Sequence, residues 1–424
     1  MKGIERQEIA RGVTLYHIPA DRFKTVGITV NLYRPLSSAE ATKNALLPRV
    51  LKCGCEGYDA PHKLNRALEN LYGATLSAGV NKKGEATALT FRMEYVAGRY
   101  LDEPGIDEKA LTLLCDVIQR PALENGMFMQ EYLSLEKETL KNIIEGRIND
   151  KREYAQWRCY EEMCRKEAYG VSEYGDVTHL ESISNASLYA HYQDILSSRI
   201  DVFVCGEADM EMVSRVLGQR FAGAGMDKYP STQIVSEVGE VRHVTDELDV
   251  EQGKLSLGFR TGIAPTDDRY YSLALYNSIL GSGAHSKLFN NVREKLSLAY
   301  YVFSRLERFK GTMMISSGIE IPSYQAAYDE IMAQMEAIGR GEITDAEFMA
   351  SKNSMKNMIR SLADAPRLLQ DYYLGQLMAG TDDDLEDFVQ KIESVTREQV
   401  VDVSKNIKLD TVYFLKNKGV ASHE

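Results

Sequence analysis

The stretch "LGSGAHSKLFNNVREKLSLAYYVFS" (residues 280–304) guides the interpretation of the whole chain. After a Gly-Ser-Gly turn, apolar residues recur at helical spacing, and the pattern changes to that of a strand at Tyr300. Arg293 precedes Tyr300 by seven residues, about two turns of an α-helix. The spacing predicts that an Arg on a helix and a Tyr on a strand face one ligand, such as a carbonyl or a carboxylate. The same two residues can also be an unrelated surface pair, and the stretch alone leaves both interpretations open.

The composition limits the classes of protein to which the chain can belong. With 424 residues, of which 44% are hydrophobic and 26% charged, it is expected to be a soluble globular protein of two or more domains. A net charge of −12 disfavours nucleic acid as a partner, because phosphate binding requires a basic surface. The sequence shows neither a membrane-spanning apolar run nor the apolar core of a signal peptide, so we expect a cytoplasmic protein with no membrane partner.

The cysteines and histidines give no sign of a metal site. The six cysteines are scattered, and in a cytoplasmic protein they are expected to be reduced and partly buried. No pair of cysteines is followed by a second pair at zinc-finger spacing, and no two of the seven histidines are separated by one, two or three residues. We therefore expect no metal and no other cofactor in this chain.

Three segments of the first half recur in the second half in the same order. The offsets between their starting positions are 287 − 63 = 224, 355 − 140 = 215 and 393 − 181 = 212. Single similarities between amphipathic helices are common by chance, but three ordered matches at a nearly constant offset indicate an internal duplication. The matching segments are 63–78 with 287–302, 140–145 with 355–360, and 181–206 with 393–417.

The duplication predicts two homologous lobes of about 210 residues each, an ordinary domain size. The first lobe is expected to span residues 1–224 and the second residues 242–424, with a polar linker at 225–241. Within the first half, the order strand, helix, strand, long helices, strand is typical of an α+β fold. Two similar lobes tend to enclose a cleft in which ligands bind, so we expect a clamshell.

The 280–304 stretch resembles a segment of the insulinase, pitrilysin and mitochondrial processing peptidase family, the inverzincins. The second lobe of that family carries a similar LGxGxxSxLFxxxREKxxLAY pattern. The resemblance covers nearly the whole chain and includes "YGATLSA" (72–78), "EAYG" (167–170) and "VFVCGEAD" (202–209). It implies the family's fold. It also implies that Arg293 and Tyr300 form the pair that helps to hold a substrate's peptide backbone near zinc.

The turn before the helix is a further candidate for substrate contact. Gly281 and Gly283 have no side chains, so a bound extended peptide can approach the backbone closely. His285 lies beside them in sequence and is either a substrate contact or an ordinary loop histidine. The predicted substrate-binding residues are therefore Arg293, Tyr300, Gly281, Gly283 and His285.

The resemblance also indicates that the family's zinc site is degenerate here. The first lobe of active relatives carries H-x-x-E-H on a helix, in which the two His bind zinc and the Glu acts as general base. At the matching positions this chain has Ala45, Pro48 and Arg49. Ala cannot ligate a metal, Arg repels a divalent cation, and Pro lacks a backbone donor. The family's third ligand ends a Glu-x6-Glu pattern, which Glu138 and Glu145 match, so Glu145 is either a remnant ligand or an ordinary exposed helix residue.

These residues predict a protein that is not a peptidase on its own, because a single Glu cannot hold catalytic zinc. The preferred hypothesis is a non-catalytic, peptide-binding subunit of a metallopeptidase-like complex. A homologous partner would supply H-x-x-E-H and zinc, and this chain would supply Arg293 and Tyr300. The expected partners are that zinc-bearing homologue in a heterodimer, or a second copy of the chain, together with a peptide or protein substrate.

Two other hypotheses stay open. One is a scaffold or regulatory protein that keeps the fold but takes no part in proteolysis. The members that this chain resembles are zinc-less bacterial proteins, and family naming links some of them to the 5-aminopentanol modification of elongation factor P. The other is a peptidase whose metal site is assembled from different residues. A neighbouring gene for a homologue with intact H-x-x-E-H would favour the two-chain complex, and a solitary gene would favour the scaffold.

Overall fold

A computed structural model describes residues 3–221 and 228–419 of the chain. These residues form two compact units, and each unit is discontinuous in sequence. The first unit comprises residues up to 145, 171–231 and 362–378, and the second comprises residues 146–170, 232–361 and those from 379 onward.

The units differ from the contiguous lobes that the sequence predicts, 1–224 and 242–424. The difference arises from two segments, 146–170 and 362–378, each of which packs in the unit built mainly from the other half of the chain. The predicted linker, 225–241, is divided between the units after residue 231. The predicted lobe boundary at residue 224 and the first three linker residues lie outside the described residues.

The first unit is built on one large sheet and a short hairpin. Its strands are β1 (Glu5–Ala10), β2 (Val13–Ile18), β3 (Thr25–Pro35), β4 (Thr75–Lys83), β5 (Ala86–Val96), β6 (Leu123–Glu124), β7 (Met127–Phe128) and β8 (Ile200–Cys205). The sheet has the order β1-β2-β8-β3-β5-β4, and β6 and β7 form the hairpin. In β3, Val26, Ile28 and Val30 alternate with more polar residues and are fully buried in the main core of this unit, as the period of a strand requires.

The second unit is built on a five-stranded sheet. Its strands are β9 (Arg242–Leu248), β10 (Gly253–Arg260), β11 (Ala299–Glu307), β12 (Thr312–Ile319) and β13 (Lys408–Asn417). They have the order β11-β12-β10-β13-β9, so β11 and β9 are the edge strands.

Fourteen α-helices and one π-helix are found in the described residues. The first eight are α1 (Ser38–Leu51), α2 (Pro61–Asn70), α3 (Ile106–Gln119), α4 (Gln130–Gly146), α5 (Lys151–Met163), α6 (Val177–Ser182), α7 (Asn185–Ile195) and α8 (Met210–Arg220). The others are α9 (Tyr270–Gly281), α10 (Tyr324–Gly339), α11 (Asp345–Ser361), α12 (Pro366–Ala379), α13 (Leu385–Ser394) and α14 (Arg397–Ser404). The π-helix spans Leu288–Lys295.

The order of the elements confirms the predicted α+β fold of two homologous halves. The strand series β2-β8-β3-β5-β4 of the first sheet corresponds to β9-β13-β10-β12-β11 of the second, and β1 is an addition to the first. The offset between the first residues of α4 and α11 is 345 − 130 = 215, and that between α5 and α12 is 366 − 151 = 215. For α7 and α14 the offset is 397 − 185 = 212, and a capping box closes the first turn of both helices. Two of the three offsets predicted from the sequence, 215 and 212, are thus found between helices of the structure.

Helix α12 belongs to the first unit because a buried glutamine bonds it to the sheet. Gln370 is 1% exposed, its Oε1 accepts the Thr29 hydroxyl at 2.7 Å, and its Nε2 donates to the Gly27 carbonyl at 2.6 Å. At the rim of this contact, Arg92 Nη2 lies 2.9 Å from Asp371. These bonds satisfy buried polar groups of β3, so the helix is a required part of the unit.

Helix α5 fills the corresponding place in the second unit. Its buried Ala155 and Cys159 pack in a core with residues of β12 and β13. The helix approaches β10 closely at Gly258, where a Cβ would lie 2.8 Å from Met163 Sδ. The single tryptophan, Trp157, is on the same helix and reports on this unit.

An ion-pair network fixes the C-terminal part of the segment 146–170, which contains α5. Arg260 is 2% exposed and donates to Glu167 and, at 3.0 Å, to Asp410. Fully buried Lys310 lies 2.6 Å from Glu167. Burial raises the pKa of the Glu167 carboxyl, but the hydrogen bonds and charges of Arg260 and Lys310 outweigh burial and hold the pKa below its usual range.

Candidate functional site

The residues that match the family's zinc-binding motif, Ala45, Pro48 and Arg49, lie on α1. Ala45 is buried, Pro48 lies inside the helix, and the Arg49 Nε donates to Glu136 on α4 at 3.0 Å. The ion pair places a fixed positive charge on the helix face where active relatives carry a metal ligand. Burial and the Glu136 charge raise the pKa of the neighbouring Cys53 thiol to about 12, so this thiol carries its proton at neutral pH.

Glu145, the candidate third ligand, lies near the C-terminal end of α4 with 54% of its side chain exposed. Its carboxylate is 4.0 Å from Lys141 Nζ on the same helix. Glu138 is exposed as well, and the α4 carboxylate that contacts α1 is that of Glu136. Glu145 is thus exposed and close to Lys141, and its role as a remnant ligand stays a prediction.

A cluster that the sequence analysis did not find brings a histidine and two carboxylates together. Ligand atoms of Glu40, His191 and Asp194 lie within 4.8 Å of one another. The residues come from α1 and α7, which are far apart in the chain, and no local spacing marks them. Arg34 already bonds to both carboxylates, at 2.9 Å to Glu40 and 2.7 Å to Asp194. A metal ion would have to displace this guanidinium, so the arrangement is that of an ion-pair network.

The histidine of this cluster is held neutral. Its Nε2 lies 2.8 Å from the Asn44 Oδ1, and burial lowers the pKa of His191 to about 4. Burial raises the pKa of the Glu40 carboxyl, but the hydrogen bond and charge of Arg34 outweigh burial and lower it. Glu40 is thus ionised for pairing with Arg34, and His191 serves as a hydrogen-bonding group of the core.

The buried wall of a cleft of about 610 Å³ in the second unit is made of charges that are already paired. Glu167, Arg260 and Asp410 line it, and Arg260 donates hydrogen bonds to both carboxylates. Arg242, at the same wall, donates to Asp410 at 2.7 Å. The cleft is therefore lined by the structural network described above.

The stretch with Arg293 and Tyr300 lies at one edge of the second sheet. Arg293 is on the π-helix, where the sequence predicts an ordinary amphipathic helix, and Tyr300 is on β11. π-Helical turns are rare and frequent at functional sites. Because the helix does not keep 3.6 residues per turn, the predicted two-turn relation between the two residues does not describe their placement.

Both functional groups are accessible. Arg293 is 43% exposed, and its guanidinium lies over the Phe289 ring at 4.8 Å and 3.7 Å from Glu294. Tyr300 is 51% exposed and its hydroxyl donates to Glu320. Within the part of the chain that the structure describes, no hydrogen bond joins Arg293 to Tyr300. Each is fixed by its own neighbours and open to solvent on one side.

The junction between helix and strand has a left-handed residue at the same position in both halves. Ser297 has a φ of 51°, and Gly73, at the corresponding position of the first half, has a φ of 75°. The residue after each donates its N–H to the carbonyl six positions back, so the same backbone hydrogen bond closes the helix in both halves. The first half thus has a glycine, which adopts the left-handed conformation readily, and the second half has a serine in the same conformation.

The glycine-led turn is explained largely by packing. Gly281 ends α9, and a Cβ there would lie 2.5 Å from the Ser304 nitrogen on β11. The structure thus gives Gly281 a buried packing role. Gly283 has a φ of 116°, which favours glycine. The His285 Nε2 faces the Ser278 hydroxyl at 3.4 Å, and burial lowers the pKa of this imidazole.

Comparison with known proteins establishes the family. The chain is 36% identical over 423 residues to the "probable inactive metalloprotease YmfF" of Bacillus subtilis (strain 168), a match that covers 97% of each chain. The sequence pattern described as "Peptidase M16 inactive domain" matches residues 182–355. The chain belongs to the M16 peptidase family. The resemblance to insulinase-like, zinc-less proteins is thereby confirmed.

Two solved structures share the fold of this M16 protein. A conserved protein from Enterococcus faecalis V583 matches with a TM-score of 0.92 at 29% identity, over 99% of this chain and 100% of that one. The peptidase M16 inactive domain from Pseudomonas fluorescens matches with a TM-score of 0.81 at 17% identity, over 99% and 100%. The second match shows the fold alone.

The comparisons identify this M16 chain as a non-catalytic, peptidase-like protein. Helix α1 gives the physical reason, because Ala45 and Pro48 offer no ligand atom and Arg49 pairs with Glu136. Among the described residues, no helix combines the length and the apolar character that a membrane span requires.

Proposed function

We propose that this M16 chain is the peptide-binding, non-catalytic subunit of a complex in which a homologous subunit supplies zinc and H-x-x-E-H. The observation that carries the proposal is the exposure of Arg293 and Tyr300 at an edge strand. Both groups can reach a ligand, whereas the matching face of α1 offers no ligand set for a catalytic metal. The chain therefore has the means to hold a peptide without the means to cleave it.

The edge strand β11 gives the peptide a place to bind. In the described residues, β11 pairs with β12 on one side only. An extended peptide can add a strand to such an edge, with main-chain hydrogen bonds supplying affinity. Arg293 would donate charge-assisted hydrogen bonds to a peptide carbonyl or carboxylate. Tyr300 would donate its hydroxyl to the same carbonyl, or to the oxyanion formed at the partner's zinc.

Reconstitution with a zinc-bearing homologue from the same cell tests the proposal. The mixture is expected to cleave peptides, and Arg293→Ala is expected to lower kcat/KM by about tenfold to a hundredfold, the worth of a hydrogen bond to a charged group. Arg360→Ala is the matched control, because Arg360 is exposed on α11, outside the proposed peptide-binding strand. It should change the rate by less than about twofold.

Two results contradict the proposal. Peptide cleavage by the purified chain with zinc alone, at the rate of the mixture, would show that the chain has its own metal site. A stable complex whose peptidase activity is unaffected by Arg293→Ala would instead support the scaffold or regulatory alternative, including a role beside the modification of elongation factor P.

A further inference from the structure

Tyr300 does not follow the regular alternation of its strand. Ala299 pairs with Ile319 and Tyr301 pairs with Gly318, so Tyr300 is the extra residue of a β-bulge. Bulges re-aim a side chain relative to the rest of the strand. The register on either side is fixed by packing, because the Tyr301 ring covers Gly318 and a Cβ there would lie 2.5 Å from that ring.

The bulge brings the Tyr300 hydroxyl to Glu320. Glu320 directly follows β12, is exposed, and accepts the hydrogen bond of the Tyr300 hydroxyl. A phenol hydroxyl has one proton to donate. A ligand carbonyl that takes this proton therefore has to replace the Glu320 carboxylate as the acceptor.

We infer that Glu320 is a specificity-determining residue that favours peptides with a basic residue next to the gripped carbonyl. This inference rests on the proposed peptide-binding function. A neutral peptide that takes the Tyr300 proton leaves the Glu320 carboxylate with water alone. A lysine or arginine side chain of the ligand compensates by pairing with that carboxylate, and an acidic side chain is repelled. The Glu320 carboxylate thus competes with the ligand carbonyl for the Tyr300 proton, and a basic ligand compensates for the hydrogen bond that this carboxylate loses.

The test compares two fluorescein-labelled nonapeptides of alternating Val and Thr, acetylated and amidated at the ends, with either Lys or Gln at the centre. Binding to the full chain, with any subunit that co-purifies, is measured by fluorescence anisotropy. We expect the Lys peptide to bind at least about threefold more tightly, the scale of an exposed ion pair. Glu320→Gln is expected to abolish this preference.

Two further variants separate specificity from structure. Glu336→Gln removes the same charge from an exposed position on α10 and should leave the preference unchanged. In the Tyr300 background Glu320→Gln should also tighten binding of the Gln peptide, because an amide oxygen competes less strongly than a carboxylate for the Tyr300 proton. In a Tyr300→Phe background it should not, because no phenol proton is left to be released. A purely structural role of Glu320 would not produce this dependence on Tyr300.

The outcomes are distinguishable. If Arg293→Ala weakens both peptides but Glu320→Gln leaves the Lys preference unchanged, the role of Glu320 is overturned and the proposed function stands. If neither peptide binds the wild-type protein, the proposed function is overturned, and the inference with it.

Discussion

Replacing Gln370 should destabilise the first unit more than any exposed substitution on the same helix. The side chain is buried and makes hydrogen bonds of 2.7 Å and 2.6 Å to Thr29 and Gly27 on β3. In Gln370→Met the size of the side chain is kept, but both partners lose their bonds. Arg92 Nε still donates to the Thr29 oxygen at 3.0 Å, so the expected loss in the free energy of unfolding is about 1–3 kcal/mol, the cost of one buried polar group left unpaired.

Urea denaturation followed by circular dichroism measures this loss, and hydrogen exchange read by mass spectrometry assigns it to β3. Gln325→Ala is the control, since Gln325 is exposed on α10 and bonds only to Asp329 among the described residues. It should change the free energy of unfolding by less than about 0.5 kcal/mol. A Gln370→Met protein as stable as the wild type, with β3 amides equally protected, would refute the reasoning.

Two further outcomes follow from the second unit and from the duplication. Ser297→Gly should raise the free energy of unfolding by about 1 kcal/mol, because glycine adopts the left-handed conformation without strain. The reciprocal Gly73→Ser should lower it by a similar amount. Urea midpoints measure both changes, and a lower stability of Ser297→Gly would contradict the interpretation of the junction. The pKa of Glu167 in the folded protein is below its ordinary value of 4.5. The contribution of its ion pairs to the free energy of unfolding is therefore present above pH 4.5 and is lost as the pH falls below that value. The fluorescence of the single tryptophan should therefore report unfolding in this acidic range, and Glu167→Gln should already be destabilised at pH 7.

The duplication was predictable because several matching elements of the two halves keep a nearly constant offset. The two smaller offsets that short sequence matches indicate reappear as the spacing between α4 and α11 and between α7 and α14. The degenerate zinc positions, Ala45, Pro48 and Arg49, were assigned through the family resemblance, and this assignment stays a prediction. Patterns of this kind depend on local sequence, which is why they survive without a structure.

Other features depend on contacts that sequence spacing does not encode. The sequence pattern predicts one long charged helix where a short 3-10 turn, Arg147–Asn149, separates α4 from α5, and this turn is where the chain passes into the second unit. The π-helix has the composition of an ordinary amphipathic helix. Glu320 was invisible because its role comes from a bulge in the neighbouring strand, far from it in sequence.

The exchange of helices between the halves has a consequence for synthesis of the protein. The first unit begins near the N-terminus, yet it also includes α12, which bonds to β3 and ends only at Ala379. During translation the buried polar groups of β3 lack their hydrogen-bond partner until Gln370 has been synthesised. This unit therefore cannot reach its native state until nearly the whole chain has left the ribosome. Cutting the gene between the two halves would yield two fragments that each lack a helix, and neither is expected to fold unless the other is present.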